Sequence, residues 1–194
     1  MLWNDLKNLK LENDKVQIRR IELSDREGFS RIAFDETIWQ YFVTQITSFL
    51  ELDQFIEEAI KDTLNGSRIV FSILDRISNR IVGSTAFGNI SEKERKLEIG
   101  WSWLSRDTRG TGINRATKLL LLDYAFNELR CERVEFKTDI LNVIARRGLA
   151  ALGAKEEGVL RSFNFMPGGR RRDVIYYSIL RPEWPALRCE KFGK

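Results

Sequence analysis

At 194 residues, 43% hydrophobic and 31% charged, the chain is ordinary for one soluble domain and long enough to bury a core without disulfides or metal. It contains no histidine, which excludes a Ser-His-Asp triad, a Cys-His dyad and every His-containing zinc site; Cys131 and Cys189 make neither a C-x-x-C pair nor an all-Cys zinc site and read as free thiols. A net charge of +4 is too mild to mark a nucleic-acid binder, and with no apolar run near the ~20 residues of a membrane span and an N-terminus too polar for a signal peptide, the expected location is the cytoplasm.

Residues 16–21 alternate imperfectly and predict a first strand. Ser24-Asp25 offers an N-cap for a helix beginning near Arg26, with Phe29, Ile32, Ala33 and Phe34 able to face a core. A short helical piece over 36–42 carries Trp39, Tyr41 and Phe42. A longer helix over 53–64 sets Phe55, Ile56, Ala59, Ile60 and Leu64 on one face and stops at Asn65-Gly66. Residues 68–74 and 80–89 predict strands around a polar hairpin loop, and a second polar break at 91–96 leads to a third strand. There Leu97, Ile99, Trp101 and Trp103 recur at every second position, which predicts that all four share one face.

After a loop over 105–111, Ile113, Ala116, Leu119, Leu120, Leu122, Ala125, Phe126 and Leu129 form a helical stripe broad enough to pack on a sheet. Strand and helix are joined through Arg109-Gly110-Thr111-Gly112-Ile113-Asn114. Glycines ahead of a helix let a ligand approach the backbone, and first-turn N–H groups with the macrodipole behind them suit a phosphate or pyrophosphate; the plain alternative is an ordinary strand-to-helix turn. A Walker loop fails because Ile113 follows Gly112, and a dinucleotide fingerprint lacks its third glycine where Arg115 stands.

A strand over 133–138 follows directly from the helix, with Val134, Phe136 and Thr138 on one side, and a helical crossover favours parallel pairing. Residues 139–142 are a loop, 144–152 a helix ended by Gly153, and 155–166 with 171–180 a hairpin around Pro167-Gly168-Gly169. The tail from Pro182 reads as only partly ordered. Arg170-Arg171-Arg172 is either a solvated turn or a contact for an acidic substrate, ribosomal RNA or a cofactor phosphate.

Arg109-x-x-Gly112-x-Asn114 resembles the acetyl-CoA signature Q/R-x-x-G-x-G/A of the GNAT superfamily of N-acetyltransferases, with Asn114 in place of Gly or Ala at the last position. The resemblance extends over residues 15–184 and is to the RimJ/RimL-like branch. It implies an α/β (α+β mixed) GNAT fold: a bent mixed sheet of about seven strands with helices on both faces, one acetyltransferase domain over residues 1–194 with 1–14 and 182–194 peripheral. It also implies a gap between the strand ending at Leu104 and the strand over 133–138, where the pantetheine of acetyl-CoA enters.

In that site Trp103 and Leu104 would border the cofactor, and Leu104 N–H would support the thioester oxyanion. Arg109, Gly110, Thr111, Gly112, Ile113, Asn114 and Arg115 would hold the pyrophosphate, and Asn142 the pantetheine. Glu98 would be the general base acting through water, with a solvated strand carboxylate as the lesser alternative, whereas Asn142 could equally be a helix cap. Glu135 is a second carboxylate on the neighbouring strand. The positions where relatives carry a general-acid tyrosine or serine hold Leu149 and Ala145, leaving water, Tyr176 or Tyr177 for that task. The expected activity is transfer of acetyl to a primary amine, either a small molecule or a protein N-terminus, without metal, membrane or nucleic acid. A non-catalytic acyl-CoA-binding or sensor module is the alternative, and the oligomeric state, a homodimer included, stays open.

Overall fold

The computed structural model describes residues 2–193. Eight strands form one sheet: β1 (Lys10–Glu12), β2 (Val16–Arg20), β3 (Arg68–Asp75), β4 (Arg80–Ser91), β5 (Lys96–Leu104), β6 (Arg133–Asp139), β7 (Lys155–Phe165) and β8 (Arg171–Leu180). Their spatial order is β1-β2-β3-β4-β5-β6-β8-β7, and only β5 and β6 run parallel. Short polar loops make antiparallel neighbours of β1 and β2 and of β3, β4 and β5, the helical segment between β2 and β3 returns the chain antiparallel, and the helix after β5 allows the parallel step.

The α-helices are α1 (Arg26–Ser30), α2 (Glu36–Trp39), α3 (Phe49–Asn65), α4 (Ile113–Asp123), α5 (Val143–Ala151) and α6 (Trp184–Phe192). They divide between the two faces of the sheet. On one face α4 and α5 cover Phe71, Phe87, Leu97, Ile99, Val134 and Phe136, all buried. On the other, Phe29, Trp39, Leu52 and Ile56 from α1, α2 and α3 bury Val70, Ala86 and Trp103. No helix among the described residues is long and apolar enough to cross a membrane.

Several expectations need correction. The sheet has eight strands rather than about seven, because the short β1, with two charged residues of three, carries no alternation to read yet pairs with β2. Helix α3 starts earlier, at Phe49, where the Ser48 hydroxyl accepts from Glu51 N–H; Leu64 is exposed, not on its buried face. The buried face of α4 is rotated from the expected stripe and includes Thr117, Lys118 and Leu121. A π-helical turn, Tyr124–Glu128, then adds residues to the winding and keeps Ala125, Phe126 and Leu129 inside.

Both termini expected at the periphery pack into the core. Leu6 is 2% exposed. The tail is helical: Pro182 and Pro185 stand in first turns, where a missing N–H costs nothing, and Trp184 stacks on Phe126 while its indole N–H donates to Asp123 Oδ1 at 3.1 Å.

Candidate active site

Strands β5 and β6 pair at Lys96 with Arg133, Leu97 with Val134 and Glu98 with Glu135, and then part. A bulge accompanies the parting. Between the pairs Ala86/Gly100 and Ser84/Trp103, two steps along β4 are matched by three along β5, and Trp101 takes up the surplus in a left-handed conformation, φ 50°. A bulge bends its strand and sharpens the local twist, which turns the end of β5 away from β6. Gly88 makes room for it, since a Cβ there would meet the Trp101 ring at 2.4 Å.

The bulge also overturns the expected alternation. Leu97 and Ile99 face α4, whereas Trp101 and Trp103 pack on the opposite side, against α1 to α3. Trp103 lies 5.2 Å from Trp39 and 5.5 Å from Phe29 between ring centroids, so its indole is core and only its main chain can border a ligand. Trp39 is core too: it is 3% exposed and its indole N–H donates to the Ala33 carbonyl at 2.7 Å.

The direction of the Leu104 amide follows from the ladder. Ser105 N–H donates to the Val82 carbonyl at 2.8 Å, and bonded pairs alternate along an antiparallel ladder. Leu104, the partner of Gly83, therefore turns its N–H and C=O away from β4 and into the gap. Consistently, the Leu104 carbonyl is met from the gap side by Arg109, whose Nε donates to it at 3.3 Å and whose Nη1 donates to Thr37 Oγ1 at 3.3 Å.

The loop after β5 delivers a helix N-terminus to the same place. Gly110 and Gly112 both adopt positive φ, 80° and 92°, a turn that side chains resist, and Gly112 is the N-cap of α4. A Cβ at Gly110 would meet nothing, and one at Gly112 would meet only Lys15 Nζ at 3.1 Å. The cradle is thus open, the first-turn amides of Ile113, Asn114 and Arg115 face outward, and Lys15 adds an ammonium. The Arg115 guanidinium is directed elsewhere, over the Phe192 ring at 5.3 Å.

Glu98 stands where the strands part and is 2% exposed, so it is not a solvated strand carboxylate. Its Oε2 accepts from Asn89 Nδ2 at 2.6 Å and from Lys137 Nζ at 3.0 Å. Lys137 is itself covered by the rings of Trp101, Phe163 and Tyr176, at 5.6 to 6.0 Å. Glu135 faces the same side, but burial, which raises its pKa, is outweighed by bonds from Arg133 and Lys96, and the net shift is downward. It is tied into an ion-pair network rather than available to a substrate.

Asn142 caps α5, its Oδ1 accepting from Ala145 N–H at 3.0 Å. Leu149 is buried in the core. The two tyrosines point to opposite faces: Tyr177 is buried on the α5 side and donates to Glu156, while Tyr176 lies on the Glu98 side against Phe163. The arginine run is largely anchored. Arg170 is ion-paired with the fully buried Asp139, Arg172 Nε lies 3.7 Å from the same carboxylate, and Arg171 Nε donates to Ser162 Oγ at 2.7 Å.

Asn89 and Lys137 reach Glu98, and Lys15 reaches Gly112, from separate elements, and as ordinary polar residues they carry no sequence signal. A cavity of about 520 Å³ adjoins the Arg109 contact with Thr37 and is lined by Glu36, Thr37, Trp39, Gln40, Gln45 and Thr47. A larger one, about 680 Å³, lies elsewhere, between Phe126, Arg130, Glu132, Arg181 and Trp184, and contains no residue expected in the site.

A parallel pair that opens beside a free amide and a glycine cradle suits a transferase that draws an acyl group from a long, extended carrier. The chain belongs to the GNAT acetyltransferases: the family model described as "Acetyltransferase (GNAT) domain" matches residues 15–155. Ribosomal N-acetyltransferase YdaF of Bacillus subtilis (strain 168) is 29% identical over 182 residues, 89% of this chain and 94% of its own. N-acetyltransferase p20 of Bacillus licheniformis is 28% identical over 177 residues, 90% of this chain and 97% of its own. A solved acetyltransferase structure from T. thermophilus superposes with a TM-score of 0.85 at 30% identity, covering 93% of this chain and 94% of that one. As a member of that family the chain is an acetyltransferase.

Proposed function

We propose that the protein moves an acetyl group from acetyl-CoA to a primary amine, by direct attack of the amine on the thioester while both are bound. The observation that carries this reading is the gap between β5 and β6, with the Leu104 amide turned into it and the α4 cradle at its mouth. An extended, amide-bearing pantetheine fits an edge whose main-chain groups lack a neighbouring strand. The pyrophosphate fits the amides from Gly110 to Arg115, with Arg109 and Lys15 adding charge.

In this reading the Leu104 N–H supports the negative charge on the carbonyl oxygen during attack, a contribution of about 3 to 4 kcal/mol for one preorganised donor. Amines near pKa ~8 to ~10.4 are largely protonated at neutral pH, so a proton must leave before attack. Glu98 is the base, reached through water, and Lys137 and Asn89 hold its carboxylate at the point where the strands part. The acceptor enters from the α1–α3 side, past Trp101 and the polar cavity around Glu36, whose carboxylate suits a cationic amine. A protein N-terminus and a small amine both fit this description, and the name of the YdaF relative points, for that protein, to a ribosomal acceptor.

The decisive experiment is thermal melting with acetyl-CoA, NAD and ATP, since a ligand that binds only the native state stabilises it, by ~2.7 kcal/mol at a hundredfold excess over Kd. A shift with acetyl-CoA alone supports the reading, and its absence removes it. Amine-dependent release of CoA then separates an enzyme from a sensor module, the reading that Ala145 and Leu149 favour by lacking an acid; a sensor would bind and release nothing with any amine.

A further inference from the structure

Lys118 has no role in the chemistry above, and its surroundings are unusual for a lysine. It lies on the sheet-facing side of α4, 5% exposed, and among the described residues it forms no ion pair. Its Nζ donates to Ser102 Oγ at 2.6 Å; Ser102 Oγ is 2.7 Å from Thr85 Oγ1 and 3.2 Å from the Gly100 carbonyl. A lone buried ammonium is costly, and an apolar side chain would serve α4 packing better.

Its position is as telling as its burial. Ser102 belongs to the part of β5 that has lost β6 as a neighbour, two residues from the Leu104 amide. Helix α4 starts at the proposed pyrophosphate cradle and packs on the sheet face of Leu97 and Ile99, opposite Glu98, and from that face the Lys118 side chain reaches Ser102 on β5. Ala145 and Leu149 leave the departing thiolate without a proton donor on α5.

We infer that Lys118, held by Ser102, supplies the positive charge and the proton that the CoA thiolate requires when it leaves. This inference rests on the acetyl-CoA reading. As the amine nitrogen bonds to the acetyl carbon, the C–S bond breaks with its electron pair on sulfur. The Lys118 ammonium gives that sulfur a proton and becomes a neutral amine. The proton lost by the acceptor nitrogen passes through water to Glu98 and solvent, and Lys118 recovers its own from solvent before the next turnover.

Burial pushes the Lys118 pKa down to about 7, with Glu98 acting against it, so the group can both hold and release a proton near neutral pH. Ser102 on β5 and Thr85 on β4 are its polar neighbours. Glu98 on β5 is the charged group acting on it, and Lys137 on β6 and Arg172 on β8 face that same carboxylate.

The test needs no acceptor. CoA bound to the full-length chain is titrated by the ultraviolet absorbance of its thiolate, in the parent protein and in Lys118→Met and Ser102→Ala, with melting scans to establish folding and binding. Methionine matches lysine in length and suits a buried site, so Lys118→Met is expected to fold. The pH midpoint of thiol ionisation should rise by about one or more in Lys118→Met, at least about tenfold in proton affinity, and by less in Ser102→Ala. Bound CoA that titrates alike in parent and Lys118→Met overturns the inference and leaves the acetyl-CoA reading intact. If CoA shifts the melting of none of the three proteins, the acetyl-CoA reading fails and takes this inference with it.

Discussion

Two loops of this protein read alike in sequence and behave differently in space. Residues 109–112 and 167–172 both combine glycine with arginine, and both hold glycines at positive φ: 80° and 92° in the first, 79° and 84° in the second. The first opens an 11-residue helix, and its amides and the Arg109 guanidinium border the gap between β5 and β6. The second turns a hairpin, and its arginines are committed to Asp139, Ser162 and the Phe165 ring. Charge is greater in the second, yet the anion site proposed above lies in the first. What matters is the supply of main-chain donors that secondary structure leaves without partners, and only a helix start provides that.

The comparison can be broken most directly by placing the same carboxylate in each loop. Gly112→Glu strains a left-handed position and sets a negative charge on the cradle, so acetyl-CoA affinity should fall by more than about a hundredfold. Gly168→Glu should leave it unchanged. Calorimetric titration of both variants reads the difference, and retained affinity in Gly112→Glu would remove the pyrophosphate assignment.

Glu98→Gln sharpens the contrast from outside both loops. Turnover with an accepted amine should drop by ~10²-fold or more and lose its rise with pH, while the melting shift with acetyl-CoA persists. Unchanged turnover would take Glu98 out of the mechanism. Arg109→Ala, which removes a charge at the cradle, should weaken acetyl-CoA by about tenfold. Its counterpart Arg170→Ala should leave affinity alone and lower stability in urea, because Asp139 loses an ion-pair partner while fully buried. If instead Arg170→Ala weakens acetyl-CoA as much as Arg109→Ala, the two loops form one anion site. Arg171→Ala, exposed and held by Ser162, should change stability by no more than about 0.5 kcal/mol.

Much of this was legible residue by residue. The apolar alternation of β6, the polar hairpin loop between β3 and β4, the Asn65-Gly66 stop, the Pro167-Gly168-Gly169 turn and the glycines ahead of α4 report local conformation, because backbone preference and side-chain period act within a few residues. The Trp101 bulge did not show, since a left-handed tryptophan has no propensity signature and depends on Gly88 across the sheet. Nor did Lys118, which lies outside the expected apolar stripe and is buried because α4 is rotated from it.

The sequence by itself determined the order of the strands from β2 to β8, the exclusion of histidine chemistry and the glycine turn ahead of α4, all properties of composition or of neighbours along the chain. Tertiary structure alone decided where β5 leaves β6, which way the Leu104 amide points, that Glu98 meets Lys137 and Asn89, and that a buried ammonium lies behind the gap. Those facts depend on residues from β4, β5, β6 and α4 meeting across long separations, and such meetings follow from packing, which no stretch of sequence records.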